Sequence, residues 1–150
     1  MFQLSVTMIR PFQSDDTFSV IKLAYETLTE RYTPTLFNYF YETFPQGFLV
    51  AEHHHRLIGF VIALPVTNTL GKILMLSVQA TYRRKKIGST LLAQSREVLC
   101  KQQIQRIELE VNPKNTAAVQ FYKSHGFTIQ QTLSEFYENK DDAYLMSCHC

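Results

Sequence analysis

The stretch Val78-Gln79-Ala80-Thr81-Tyr82-Arg83-Arg84-Lys85-Lys86-Ile87-Gly88-Ser89-Thr90-Leu91-Leu92 sets four consecutive cations between an apolar run and an amphipathic one. A strand that ends in a basic turn, followed by a helix opening on small residues, has the makings of a phosphate site. The first-turn N–H groups of a helix lack internal partners and carry partial positive charge. Phosphate oxygens bind well at such an end. Gly88 and Ser89 leave room for a ligand close to the backbone, and Arg83, Arg84, Lys85 and Lys86 add charge-assisted hydrogen bonds. Out of context, the four cations read as a solvated turn or a nucleic-acid patch; the flanking strand, glycine and helix favour phosphate. No G-x-x-x-x-G-K-[ST] pattern is present, so this is not a Walker loop.

Further on, Leu109-Glu110-Val111-Asn112-Pro113-Lys114-Asn115-Thr116-Ala117-Ala118-Val119-Gln120-Phe121-Tyr122-Lys123-Ser124-His125-Gly126-Phe127 joins a carboxylate strand to an aromatic helix. Period-two geometry places Ile107, Leu109 and Val111 on one face and Glu108 and Glu110 on the other. Asn115 is set to cap the helix, where Ala118, Tyr122 and His125 share a stripe. Carboxylates and phenols are general acid–base groups. By residue type alone, though, Glu108 is a solvated strand residue and a buried helical Tyr is more often core than catalyst.

The elements that must position these residues follow from hydrophobic periodicity. Residues 3–10 alternate as a strand that Pro11 ends. Ser14-Asp15-Asp16 opens a helix with Phe18, Ile21, Leu23, Ala24 and Leu28 as its apolar set. A second helix starts near Pro34 and runs through Phe40. Residues 47–52 and 57–65 form a hairpin about His53-His54-His55-Arg56, and residues 71–79 another strand. Helices over 86–102 and 115–125, and strands over 106–111, 127–133 and 142–148, complete the order β-α-α-β-β-β-α-β-α-β-β. Gly126 is the stop of the last helix.

The 150 residues fit one domain, 1–150, and a net charge of +2 is too small for a general nucleic-acid or membrane-surface binder. No apolar run approaches the ~20 residues that span a bilayer, and the first residues do not read as a secretory signal. Three cysteines, an odd number, argue against a disulfide framework and fit a reducing cytoplasm. His53-His54-His55 reads as an exposed hairpin tip. Cys148-His149-Cys150 lacks a second cluster at zinc spacing, so no metal is expected.

The basic loop resembles that of the GNAT acetyltransferases, Q/R-x-x-G-x-G/A, with Arg83, Lys86 and Gly88 at the marked positions. Lys86 stands where the family usually has Gly; if that position needs φ > 0, Lys costs roughly 1–2 kcal/mol. The preceding strand, Leu74-Met75-Leu76-Ser77-Val78, is similar to the strand whose backbone binds pantetheine, at the positions of Leu76 and Val78. The segment from Leu109 to Phe127 resembles L-E-V-R-x-x-N-x-x-A-x-x-x-Y-x-x-x-G-F of ribosomal-protein and N-terminal acetyltransferases, with Asn112 where Arg is common. This resemblance implies a twisted, mostly antiparallel mixed sheet flanked by helices (an α/β domain), with splayed strands over 71–79 and 106–111. It implies acetyl-coenzyme A as co-substrate, Glu110 as general base, Asn115 on the pantetheine arm and Tyr122 beside the coenzyme sulfur as general acid.

Two more segments imply the acceptor. Leu28-Thr29-Glu30-Arg31-Tyr32 resembles the "LPENY" loop of N-terminal acetyltransferases, with Glu30 and Tyr32 on its peptide-facing positions. The stretch Phe136 to Met146 resembles "YY-x-DG-EDAYxM", with Tyr137 bonding the substrate peptide. The function implied is direct acetyl transfer to a protein N-terminal α-amine in a ternary complex. The rivals are a lysine ε-amine or small-amine acetyltransferase and a non-catalytic acyl-coenzyme A-binding module.

Overall fold

Alternating burial and helical periodicity resolve into the expected order of elements in a computed structural model, which describes residues 7–28, 30 and 32–150. The strands are β1 (Met8–Pro11), β2 (Phe48–His53), β3 (Arg56–Pro65), β4 (Leu70–Val78), β5 (Arg106–Val111), β6 (Thr128–Leu133) and β7 (Ala143–His149). The helices are α1 (Thr17–Thr27), α2 (Pro34–Thr43), α3 (Ile87–Cys100) and α4 (Thr116–Ser124). The strands form one sheet in the order β1-β2-β3-β4-β5-β7-β6. Every pairing is antiparallel except β4 with β5, which the α3 crossover joins in parallel. Of the expected first strand, residues 3–6 lie outside the described residues.

Two apolar layers cover the sheet. On one face Ile58, Val61, Ile107, Leu109 and Met146 pack with Leu91, Leu92 and Leu99 of α3 and Val119 of α4. On the other, Phe48, Val50, Phe60 and Ile62 pack with Val20, Leu23 and Ala24 of α1 and Phe37 of α2. Phe18, expected on the buried face of α1, is 79% exposed. The rest of the expected set holds, with Leu23 and Ala24 buried and Ile21 and Leu28 packed against the same layer. Val20 takes the place expected of Phe18, because α1 carries apolar residues on two sides and the sheet selects one.

β4 explains why the sheet opens in the middle. Its register against β3 steps between Ile62 and Ala63, so that Met75 and Ile73 find partners and Leu74 between them has none. An extra residue bends a strand and increases its twist. Ile73 before the bulge belongs to the α3 side, and Met75 after it to the α1 side. β5 stays paired with β4 only at Leu70↔Arg106, Gly71↔Ile107 and Lys72↔Glu108. Beyond Lys72 the two strands part, which is the splay expected.

Cysteine parity misleads. Cys100, at the end of α3, is bonded to Cys150, and Cys148 is the free, buried thiol. An odd count excludes only complete pairing, and α3 and β7 end side by side. Closing a loop of 50-residue separation should stabilise the fold by about 3–4 kcal/mol in the chain-entropy picture. Reduction is therefore expected to lower the stability in water by that figure and to steepen the urea slope, because the unfolded chain is no longer cross-linked, as a denaturation series with and without dithiol reads directly.

Candidate active site

The opening between β4 and β5 is walled into two chambers. The first, of 390 Å³, is lined by the α1–α2 connection (Glu30, Tyr32), by β4 and β5 (Lys72, Glu110), by Tyr122 of α4 and by Tyr137 of the β6–β7 connection. The second, of 620 Å³, is lined by Val78, Arg83, Arg84, Lys86, Gly88 and Ser89. Leu76, Asn115 and Ala118 belong to both walls, so the chambers adjoin.

The second chamber fits a phosphate-bearing ligand. Thr90 N–H makes the first α-helical bond of α3, to the Lys86 carbonyl at 3.0 Å; the amides before it open the helix towards the basic turn. Arg84 (φ 63°) and Lys86 (φ 66°) are both left-handed. A methyl group at Gly88 would meet Phe121 at 3.5 Å, an ordinary contact. Protein packing therefore tolerates a side chain there. Lys85 is not among the lining residues; its ammonium lies 5.6 Å from the centre of the Tyr82 ring. Arg83 Nε donates to the Val78 carbonyl at 3.1 Å, which ties the loop back to the strand it leaves.

The left-handed Lys86 gives a test with two opposed readouts. Lys86→Gly relieves roughly 1 kcal/mol of backbone strain and removes a cation from the chamber. A higher melting temperature together with weaker coenzyme A affinity is expected, read by thermal unfolding and calorimetric titration.

In the first chamber, the period-two reading of β5 holds: Ile107, Leu109 and Val111 are buried, and Glu108 and Glu110 face the other way. Glu108 Oε2 accepts from Arg106 at 2.8 Å, and its side chain is largely covered, so it is a paired strand carboxylate and not the solvated one expected. Glu110 Oε1 pairs instead with Lys72 Nζ, a partner 38 residues away that sequence reading missed. Asn115 caps α4 by accepting from Ala118 N–H at 3.2 Å, which does not prevent it from lining both chambers. The Tyr122 ring sits edge-on between Phe121 and Phe127, and its burial pushes the phenol well above its ordinary range.

Two connections meet over the mouth of this chamber. Glu30 Oε1 accepts from the Glu138 N–H at 3.2 Å, which brings the α1–α2 and β6–β7 segments together. Thr29 and Arg31, where the loop departs from the "LPENY" pattern, lie outside the described residues. Burial, with Glu110, Tyr32 and Glu30 nearby, pushes the Tyr137 phenol up to about 12; burial and Glu30 raise Tyr32 likewise. Asp141 anchors the β6–β7 segment by accepting from Asn112 Nδ2 and Lys114 Nζ, each at 2.8 Å. Asn112, in place of the common Arg, thus has a structural task. Among the described residues no group of His, Cys, Asp or Glu could hold a metal ion; His53 ends β2, and His54 and His55, both left-handed, make the turn.

Residues 17–127 match the acetyltransferase (GNAT) family. The chain belongs to that family. This GNAT chain is 31% identical over 143 residues to N-alpha-acetyltransferase 30 of Schizosaccharomyces pombe, covering 93% of this chain and 95% of that protein. It is 28% identical to an N-alpha-acetyltransferase of Sulfurisphaera tokodaii, covering 93% and 90%. Among solved structures, Ard1 from Thermoplasma volcanium superimposes with a TM-score of 0.92 at 31% identity, covering 95% of this chain and 97% of that one. The protein is an acetyltransferase of mixed α/β fold, and its co-substrate is acetyl-coenzyme A. No helix among the described residues is long and apolar enough to cross a membrane.

Proposed function

We propose that this chain, acting as one domain, carries acetyl from acetyl-coenzyme A to the α-amine of a protein or peptide N-terminus. The observation that carries the reading is the shared wall of the two chambers: phosphate-binding features lie on one side of Leu76, Asn115 and Ala118, and Glu110 and Tyr122 lie on the other. The names of the relatives from Schizosaccharomyces pombe and Sulfurisphaera tokodaii support the α-amine as acceptor.

Each residue then has a task. Arg83, Arg84, Lys86, Gly88 and Ser89 hold the pyrophosphate, with Lys85 free to swing from Tyr82 onto an outer phosphate. Backbone groups of Leu76 and Val78, with the Asn115 side chain, hold the pantetheine arm. Glu30, Tyr32 and Tyr137 position the peptide. An α-amine has a pKa of ~7.7–8 against ~10.4 for Lys, so a carboxylate acting through a water suffices to deprotonate it. The neutral amine nitrogen bonds the acetyl carbon as the carbon–sulfur bond breaks, and Glu110 takes through a water the proton that the nitrogen sheds. That proton is passed on to the departing thiolate, which the Tyr122 hydroxyl hydrogen-bonds. A cytoplasmic location goes with this reading, because newly made N-termini and the acetyl donor are both available there. The Cys100–Cys150 bond is then one that has to persist against a reducing thiol pool.

The test is release of coenzyme A with a panel of short peptides. Free α-amines beginning Met, Ser or Ala are compared with blocked peptides bearing one free Lys. Turnover confined to free α-amines is the expected result. Turnover of the blocked Lys peptides moves the acceptor to an ε-amine. Binding of acetyl-coenzyme A without turnover of either set points to a small amine or to a binding module.

A further inference from the structure

The charged residues lining the first chamber, among those described, are Glu30, Glu110 and Lys72. Lys72 is the last residue of β4 that pairs with β5, at the point where the strands part. Its direct cross-strand neighbour, Glu108, is already engaged by Arg106, so the lysine reaches diagonally to Glu110. The side chains are 23% and 16% exposed, and the pair is partly withdrawn from solvent. Any acceptor whose proton Glu110 is to remove, even through one water, must come close to the same carboxylate.

We propose that Lys72 is a specificity-determining residue of the acceptor site. Its ammonium occupies the place on Glu110 that an acceptor ammonium would take, so that the chamber admits acceptors as neutral amines. This rests on the reading of Glu110 as the base and of the acceptor as an α-amine. At pH 7 roughly one α-amine in ten is neutral, against about one Lys side chain in 2,500. A fixed positive charge a few ångströms from the incoming nitrogen in a partly desolvated chamber turns that difference into selection. Without Lys72 the lining carries only Glu30 and Glu110, both anionic, and an ε-ammonium would be drawn in.

Lys72→Met keeps the side chain's length and removes its charge, and Lys72→Arg keeps the charge. The reading is the ratio of kcat/KM for a free α-amine peptide to that for a blocked peptide with one Lys, at pH 7. In Lys72→Met the ratio should fall at least about tenfold, through a lower KM for the Lys peptide, and Lys72→Arg should hold it near the parent value. An unchanged ratio, or an equal loss of kcat on both substrates, overturns the proposal and leaves Lys72 as a support for Glu110. Absence of α-amine turnover in the unsubstituted protein overturns the parent reading as well.

A second measurement needs no variant. In the unsubstituted protein saturated with coenzyme A, at pH 6, an α-amine is about 98% protonated. A peptide whose α-amine is replaced by hydrogen should then bind at least tenfold more tightly than the amine peptide. Equal binding, or tighter binding of the amine, refutes the proposal whether or not Lys72→Met folds.

Discussion

Glu110→Gln is expected to lower kcat/KM for a free α-amine peptide by about 10²- to 10⁴-fold and to leave acetyl-coenzyme A affinity unchanged. The substitution keeps the shape of the side chain and its ability to accept from Lys72, but removes the basic oxygen. Glu110 lines the acceptor chamber and is absent from the wall of the phosphate chamber, so cofactor binding has no reason to move. Stability should shift by less than about 1 kcal/mol, since partly exposed ion pairs contribute little. Steady-state kinetics with a calorimetric titration of coenzyme A separates these effects. Equal losses in turnover and cofactor affinity would mean that the carboxylate shapes the cleft and does not act as the base.

Tyr122→Phe is expected to lower kcat by about 10²–10³-fold, the effect of losing one preorganised donor to a developing anion. Only the hydroxyl is removed; the edge-on contacts with Phe121 and Phe127 survive, so the fold should too. Burial holds the phenol protonated well beyond the ordinary Tyr range. The donor therefore persists through any working pH, and Tyr122 contributes no alkaline limb to the rate profile. Its effect on stability has the opposite sign of a paired carboxylate's. A tyrosine whose folded-state pKa is raised is neutral with the chain folded and ionises more readily unfolded. Stability is then full below about pH 10 and falls as pH climbs past it. Tyr137, pushed up to about 12, adds to the same loss. Measuring kcat from pH 6 to 10 and melting temperature from pH 8 to 12 reads the two consequences separately.

Most of the architecture was legible because it rests on local patterns. Alternation marked β5, and the small-residue opening after the basic turn marked α3. The left-handed backbone at Lys86, foreseen as a cost if φ had to be positive, is present. What escaped was set by partners distant in sequence. Lys72 carries no local sign of its link to Glu110, because β4 and β5 are brought together only by the α3 crossover. The Leu74 bulge is a mismatch between two strands, so a single strand's sequence cannot display it. Phe18 failed because a helix with two apolar sides leaves the choice to whatever packs on it. The disulfide failed because a count of cysteines says nothing about which helix end lies beside which strand end.

From Ile73 to Val78, β4 is paired with β3 alone, since β5 has already turned away. Its cleft-facing amides and carbonyls amount to an unfinished sheet edge in the interior of the molecule. A pantetheine arm, with two amide groups of its own, is the piece of pseudo-strand that would complete it. The co-substrate would then work as a fastener between β1–β4 and β5–β7-β6, adding to the three residue pairs, the Lys72–Glu110 ion pair, α3 and the disulfide that link them. Amide hydrogen exchange should show it: coenzyme A ought to slow exchange in the cleft-facing half of β4 and in both half-sheets together, because whatever binds only the folded state raises the cost of every opening that breaks the site.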